Sequence, residues 1–366
     1  MIHRIPLSFA GLLFALSVPA QKTLNAKSFV PEGYRGEVFA DFRALDQREM
    51  IQGLERTMLG ALFALVEEEM GFRFEDLDSV HIFPGLPDEE GHETRTISIF
   101  EGNQNVGLPA AEKMPGYREE RRGDARILIE QDPWLGGPST IYASPRDGLL
   151  VIGQKDAILP KLDGKAAPVM PRPNFLSLTS GRNVLAYVVL QLTPAMLDDI
   201  PGLDGEYWSR EDPPRFLMVR MRAEPPRDAE GEKDERIVLE AVVRCDGKDG
   251  PIAIARAAEK GIEAAAKHRK LGALKRLWGK IEVTTDGIDC RARMPLGTPR
   301  QAAGALALMI APVVFLSESR VVGPLPAAQL EAVEVEPPAD PEGGEEKPEG
   351  EKNGGGQQKG SEKKGG

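Results

Sequence analysis

Most of the apolar residues in this chain fall into short runs of β character that come as neighbouring pairs, and that pairing limits the folds open to it. Such runs stand at 36–42, 79–83, 94–100, 125–129, 140–143 and 149–153, and again at 184–192, 215–221, 237–245, 281–285 and 290–294. Arg146-Asp147-Gly148 and Asp286-Gly287 supply tight turns inside two of the pairs. Helical periods are few. Met50, Leu54, Met58, Leu62 and Val66 recur every four residues, and Ile51, Leu59 and Leu65 widen the stripe. One helix is therefore expected between a capping box at Asp46 and Glu49 and a stop at Gly71, with Glu67, Glu68 and Glu69 at the unfavourable end of its dipole. A brief helix is expected over 194–200 and a longer one over 251–270, with Ile254, Ala258, Ile262 and Ala265 on one face. Paired strands punctuated by single helices predict an α+β fold, mostly antiparallel sheets packed by a few long helices. No glycine-rich phosphate loop follows a strand, which argues against a doubly wound nucleotide-binding fold.

The two ends differ from the body. His3 and Arg4 precede an apolar run over 5–18, and Val18-Pro19-Ala20 offers the small residues a signal peptidase reads, so cleavage is expected before Gln21. That run is too short to span a hydrocarbon core of ~30 Å. The uncharged stretch 302–317 also falls short of the ~20 residues a span needs, and Pro312 interrupts it. Thr298, Pro299 and Gln301 open it as an ordinary capped helix, expected to be buried in the core. From Glu331 onward 36 residues hold nine Gly, ten acidic groups and five Lys, a composition that cannot bury enough surface to order itself. The expected divisions are a signal at 1–20, an α+β half at 21–165, a linker at 166–180 carrying Pro168, Pro171 and Pro173, a second α+β half at 181–330, and a disordered tail at 331–366.

The run Gly71-Phe72-Arg73-Phe74-Glu75-Asp76-Leu77-Asp78-Ser79-Val80 follows a long amphipathic helix and a strand carrying Asp41. Together with Asp147-Gly148-Leu149-Leu150-Val151-Ile152-Gly153, it resembles uncharacterised exported bacterial proteins built of tandem α+β halves. The resemblance implies two structurally related halves on the envelope side, and it brings no catalytic residues to carry over. The second half departs from it: the helix after 184–192 is brief, and the 71–80 run has no counterpart.

Chemistry is sparse. The formal charge of −11 argues against a nucleic-acid partner, although the tail alone accounts for −5 (five Lys against ten acids). His81 and His92, with Asp88, Glu89, Glu90 and Glu93, are the weak metal candidates; their spacing matches no HExxH or zinc pattern, and a solvated hairpin loop is the simpler reading. Asp76 and Asp78 are read as shaping a turn, and Asp198 and Asp199 as facing water, not as an acid–base pair. No GxSxG elbow surrounds a serine, Ser361 to Lys364 lies in the tail, and 246–250 lacks the alternating carboxylates of a calcium loop. Cys245 and Cys290 flank the 251–270 helix, and either a disulfide or two apolar side chains facing the core fits them. Lys260, Lys267, His268, Arg269, Lys270, Lys275, Arg276 and Lys280 cluster beside Trp278, a basic run expected to be a solvated helix end.

The resulting expectation is an exported protein, periplasmic or extracellular, with no cofactor and no transmembrane span after cleavage. It acts as a binding or structural accessory toward an envelope protein or polymer. The alternatives are an exported hydrolase with a site assembled from distant residues, and a carrier with an apolar cavity against the 298–316 helix.

Overall fold

Alternation of apolar and polar side chains settles into twelve strands of one antiparallel sheet, with helices laid on its faces. The computed structural model describes residues 24–31, 34–57, 59–86, 95–131, 139–164, 183–199, 211–226, 235–267 and 277–307. The signal stretch, the 166–180 linker, the 331–366 tail and the loop carrying His92 lie outside the described residues.

The first part runs β1 (Gly36–Asp41), α1 (Phe42–Asp46), α2 (Met50–Glu55), α3 (Leu59–Met70), β2 (Leu77–Phe83), β3 (Ile97–Gly102), β4 (Tyr117–Arg122), β5 (Ala125–Glu130), β6 (Thr140–Arg146), β7 (Leu149–Gln154) and α4 (Lys155–Leu162). The second runs β8 (Val184–Gln191), α5 (Pro194–Asp199), β9 (Pro214–Glu224), β10 (Arg236–Cys245), α6 (Asp249–Lys267), β11 (Glu282–Asp286) and β12 (Asp289–Gly297), then a helical stretch at 299–307. In space the strands follow the order β11-β12-β10-β9-β8-β1-β2-β3-β7-β6-β5-β4. The two parts therefore share one sheet, joined where β1 pairs with β8.

The helix expected between Asp46 and Gly71 is broken into two, α2 and α3; α1 precedes them and ends at Asp46, and Glu49 makes no side-chain cap, so the expected capping box is not formed. Asp41 caps α1 by accepting from the Ala44 amide at 2.8 Å, and Glu49 takes a left-handed conformation (φ 55°) that separates α1 from α2. Thr57 then turns the chain again: its hydroxyl donates to the Leu54 carbonyl and accepts from the Leu59 amide. A four-residue apolar period cannot register such breaks, because each piece keeps the same face buried. The stop at Gly71 (φ +79°) stands. Glu67, placed badly for the dipole, accepts the Phe74 amide at 2.9 Å and so fastens the turn that follows.

Helices α1 to α3 cover one face through Leu45, Met50, Ile51, Phe72 and the ring stack Phe42–Phe74. The stretch 299–307 lies on that face too, with Ala302 and Ala303 fully buried and its start held by the Thr298 amide donating to Gln301 Oε1. The opposite face is covered over β2, β3 and β5 to β7 by the turn at Ala26–Phe29 and by α4, enclosing Phe83, Ile97, Ile99, Ile127, Ile141 and Val151. Two elements carried no sequence signal. The edge strand β4 reads Tyr-Arg-Glu-Glu-Arg-Arg, a charged edge of the kind that resists pairing with another chain. Helix α4 is only eight residues long and contains Pro160, yet it buries Ala157 and Ile158.

One hydrogen-bonded sheet should unfold as one unit. Ile127→Ala, at a fully buried position in the first part, should cost about 2–5 kcal/mol and lower a single urea transition with unchanged slope. Two separate transitions in far- and near-ultraviolet circular dichroism would show that the parts melt apart.

Candidate functional site

Strand register places one residue from every strand in a single row across the sheet, on the face that α4 covers at one end. The row reads Glu282, Arg293, Glu240, Arg220, Tyr187, Phe39, His81, Ile99, Val151, Ala143, Ile127 and Glu120. Its character changes along its length: alternating charges over β9 to β12, three rings over β8, β1 and β2, then aliphatic side chains beneath α4.

The ionic part is a connected network. Arg220 meets Glu240 at 2.7 Å, Arg222 meets Glu224 at 2.8 Å, and Arg293 reaches Glu224 at 2.6 Å and Glu282 at 3.7 Å. Further along the same strands Arg244 holds both oxygens of Asp289, at 2.7 and 2.9 Å, and Arg291 adds a bond to Asp289 at 3.2 Å. Five arginines meet four carboxylates in this network, and the two kinds differ in depth. The side chains of Glu224, Glu240 and Asp289 keep 16%, 9% and 5% of their surface exposed, whereas Arg222, Arg244, Arg291 and Arg293 keep 32%, 30%, 38% and 27%. Buried carboxylates thus sit beneath arginines, with Arg220 the deepest of the cations. Donors outnumber acceptors: Nε of Arg222 stands 3.6 Å from Glu240, and Nε of Arg291 has no acceptor.

The ring part is centred on β1. Phe39 lies between Tyr187, at 5.0 Å between centroids, and His81, at 4.9 Å. Beside it the buried Glu37 carboxylate accepts from His81 Nδ1 at 2.9 Å. An ionised carboxylate can only accept, so the bonded ring proton belongs to Nδ1 and Nε2 is left as the second hydrogen-bonding position. The second oxygen of Glu37 and His81 Nε2 have no hydrogen-bond partner among the described residues. Phe83 stacks parallel to His81 at 6.5 Å, and Tyr34 meets Phe83 edge-on at 4.9 Å.

The sequence candidates are dispersed. His81 belongs to β2 and to the Glu37 pair; His92, Asp88, Glu89, Glu90 and Glu93 lie outside the described residues. No group of three or more His, Cys, Asp or Glu able to hold a metal ion occurs among the described residues. Asp76 shapes a turn, accepting from the Arg73 amide and from both Asn103 and Asn105, while Asp78 pairs with Arg43 at 2.6 Å. The side chains of Asp198 and Asp199 lie outside the description. In the basic run, Lys260 and Lys267 are exposed on α6 and Trp278 is half-buried; His268, Arg269, Lys270, Lys275 and Arg276 lie outside the described residues. No helix among the described residues is long and apolar enough to cross a membrane.

Cys245 and Cys290 are free, buried thiols on adjacent strands. Val243, not Cys245, stands opposite Cys290, so the two thiols are diagonal neighbours on the helical face, and Cys245 packs where Gly250 opens α6. Burial, with Cys290 and nearby acids behind it, pushes the Cys245 thiol up to about 12; burial also raises Cys290. The Glu37–His81 pair and the arginine network were missed because their members stand far apart in sequence, 44 residues for the first and 69 for Arg293 with Glu224.

Fold and site together define an α+β protein whose second half carries an ion-paired sheet face that no helix covers among the described residues. No family model matches the chain, and no curated protein matches it. Among solved structures it is similar to TP0453 in crystal form III, with TM-score 0.41 and 9% identity, and in crystal form I, with TM-score 0.39 and 8% identity. Each match covers 78% of this chain and 98% of that one.

Two outcomes follow from these environments. Hydrogen bonds from Arg244 hold the Asp289 carboxyl below the usual range against the opposing effect of burial, and Arg291 adds to the lowering. A depressed carboxylate stabilises the fold above its unfolded pKa and loses that contribution as pH falls through the folded value. Asp289→Asn should therefore cost about 3 kcal/mol at neutral pH, and the gap to the parent should close on acidification; a gap constant with pH would refute the pairing. Because the reactive species is the thiolate, iodoacetamide at neutral pH should leave both cysteines unmodified in the folded chain and alkylate both in denaturant, as read by intact mass.

Proposed function

We propose that this is an exported, envelope-side protein that acts by binding, with the arginine-topped face of β9 to β12 as its contact surface. The observation that carries this reading is the depth order of charge, buried carboxylates beneath more exposed guanidiniums. Carboxylates below fix the arginine forks in place, so their outer N–H groups are pre-organised for an acceptor on a partner. The signal-like sequence at 1–20 supports export. The apolar-carrier reading is weakened by Ala302 and Ala305, which are buried in one cluster with Leu45, Met50 and Ile51.

The two halves, 21–165 and 181–330, are read as structurally related. From the central seam, β1, helices, β2 and β3 run outward one way, and β8, α5, β9 and β10 run outward the other.

A second reading, an exported hydrolase, draws on the Glu37–His81 pair, since a carboxylate that fixes an imidazole tautomer is a general-base arrangement. The deciding experiment expresses the full chain in a bacterial host and follows it to the envelope. A mature mass beginning at Gln21 and co-sedimentation with envelope fractions are expected. An Arg222→Gln/Arg293→Gln double variant, shown to be folded by circular dichroism, should weaken that association about tenfold, whereas Lys260→Gln on α6 should not. Retention of residues 1–20, or association indifferent to the double variant, would overturn the binding reading. Ester or glycoside turnover abolished by His81→Ala would replace it with the hydrolase.

A further inference from the structure

We infer that the apolar outer face of α3 is the docking site of this chain's own run 308–316, which follows the helical stretch 299–307 and covers Ala61, Ala64 and Leu65. The docking is separate from the contact surface on β9 to β12.

Two anomalies call for one another. The first is α3 itself. Residues 59–66 carry no polar side chain, so the helix is apolar on both sides instead of along one stripe. Its inner side is accounted for: Leu59 is buried, Phe63 meets Phe74 at 4.6 Å, and Met70 packs on the cluster around Phe72 and Val80. The outer side is not. Ala61, Ala64 and Leu65, spaced as one helical face, are exposed, and Leu65 keeps 51% of its surface, the most of any large apolar side chain among the described residues. The second anomaly is the sequence after Ala307, the last described residue. Positions 308–316 hold no polar side chain, and the next charge is Glu318. That run falls well short of the ~20 residues of a membrane span, and it contains Pro312.

Position joins the two. The stretch 299–307 leaves the end of β12 and crosses the helical face to α2, where a Cβ at Gly53 would come within 2.8 Å of Ala303 Cβ. Its residues Ala302 and Ala305 share a cluster with Leu185 of β8 and with Ala40 and Phe42 at the end of β1. In the sheet β2 and β3 come next, and α3 and the turn after it cover them through Met70, Phe72 and Phe74. The chain at Ala307, itself buried, is thus headed toward α3. Length permits the contact: nine residues span ~13 Å as helix and ~30 Å extended, against ~9 Å of rise from Leu59 to Leu65. The compact unit that holds the sheet extends to Ser317, just past the run.

Other occupants match less of this. An anionic bilayer is opposed by Glu68 and Glu69, exposed on the next turn of α3. A second copy competes against a segment already tethered beside the face, whose effective concentration is set by a short connection.

The test is hydrogen–deuterium exchange of the full-length chain, read peptide by peptide by mass spectrometry, beside Leu65→Asp and a chain ending at Ala307. In both variants the amides of 59–66 should exchange about tenfold faster than in the parent. In Leu65→Asp those of 308–316 should speed up as well, because coupling between the two segments is reciprocal. That second readout separates docking from a local effect on α3. Peptides of β4 and α6 should not change. Leu65 is exposed, so its replacement leaves the sheet folded and decides the matter should the shorter chain unfold. Exchange over 308–316 indifferent to Leu65→Asp overturns the inference. So does protection of 59–66 that rises with protein concentration, which assigns the face to a second copy. Protection that appears only with phosphatidylglycerol vesicles overturns it too and assigns the face to a bilayer.

Discussion

Everything on the open face depends on five residue pairs between β1 and β8, from Gly36 opposite Leu190 to Ala40 opposite Ala186. These pairs weld two stretches of chain into one sheet, and their register decides which side chains share a surface. Successive residues of a strand point to opposite faces, so a slip of one position would exchange the two sets. Val38 and Val188 would move to the open face, and Phe39 and Glu37 would be driven against the helices. The seam is also tight. A Cβ at Gly36 would come within 2.8 Å of Leu190 Cδ2 and 3.2 Å of the Val189 carbonyl, so a side chain there would push the Leu190 methyl aside.

Local structure was legible where a local period or a special backbone angle caused it. The Val- and Ile-rich run at 237–245 is β10, Gly148 (φ +73°) and Gly287 (φ +62°) sit in the predicted hairpin turns, and Gly71 ends a helix. The α+β class followed from these pieces. The break at Thr57 was hidden, because it depends on one hydroxyl within a stripe that stays apolar throughout. Strand β4 was hidden for the opposite reason. At the edge of the sheet it needs backbone pairing with β5 alone and shows no apolar alternation. The site was least legible of all. Arg48 and Glu235 meet at 2.7 Å across 187 residues of sequence, and the arginine network joins residues 45 and 69 positions apart. Composition announced many charges but not which of them would stand in one row.

Stability gives no reason for such a row. Replacing a buried ion pair by packed apolar groups is often neutral or favourable, and the same sheet shows that alternative under α4, where Ile99, Val151 and Ile127 continue the row as a dry core. The chain therefore has two solutions for one face: apolar and covered in the first half, ionic and more open in the second. Even the ionic half rests on an apolar patch, with Val189, Met218 and Val242 buried between its charged rows.

The edges of the sheet complete the argument for recognition through the face. Antiparallel pairing of β4 with β4 of a second copy, centred on the strand, would set Glu119 against Glu120 and Arg118 against Arg121. The same operation on β11 would set Glu282 against Asp286. Like charges directly opposite destabilise a strand pair, so both ends of the sheet oppose self-extension. Between those edges the row of side chains runs from ionic to aliphatic. There His81, Phe39 and Tyr187 mark the boundary between the aliphatic half and the ionic half.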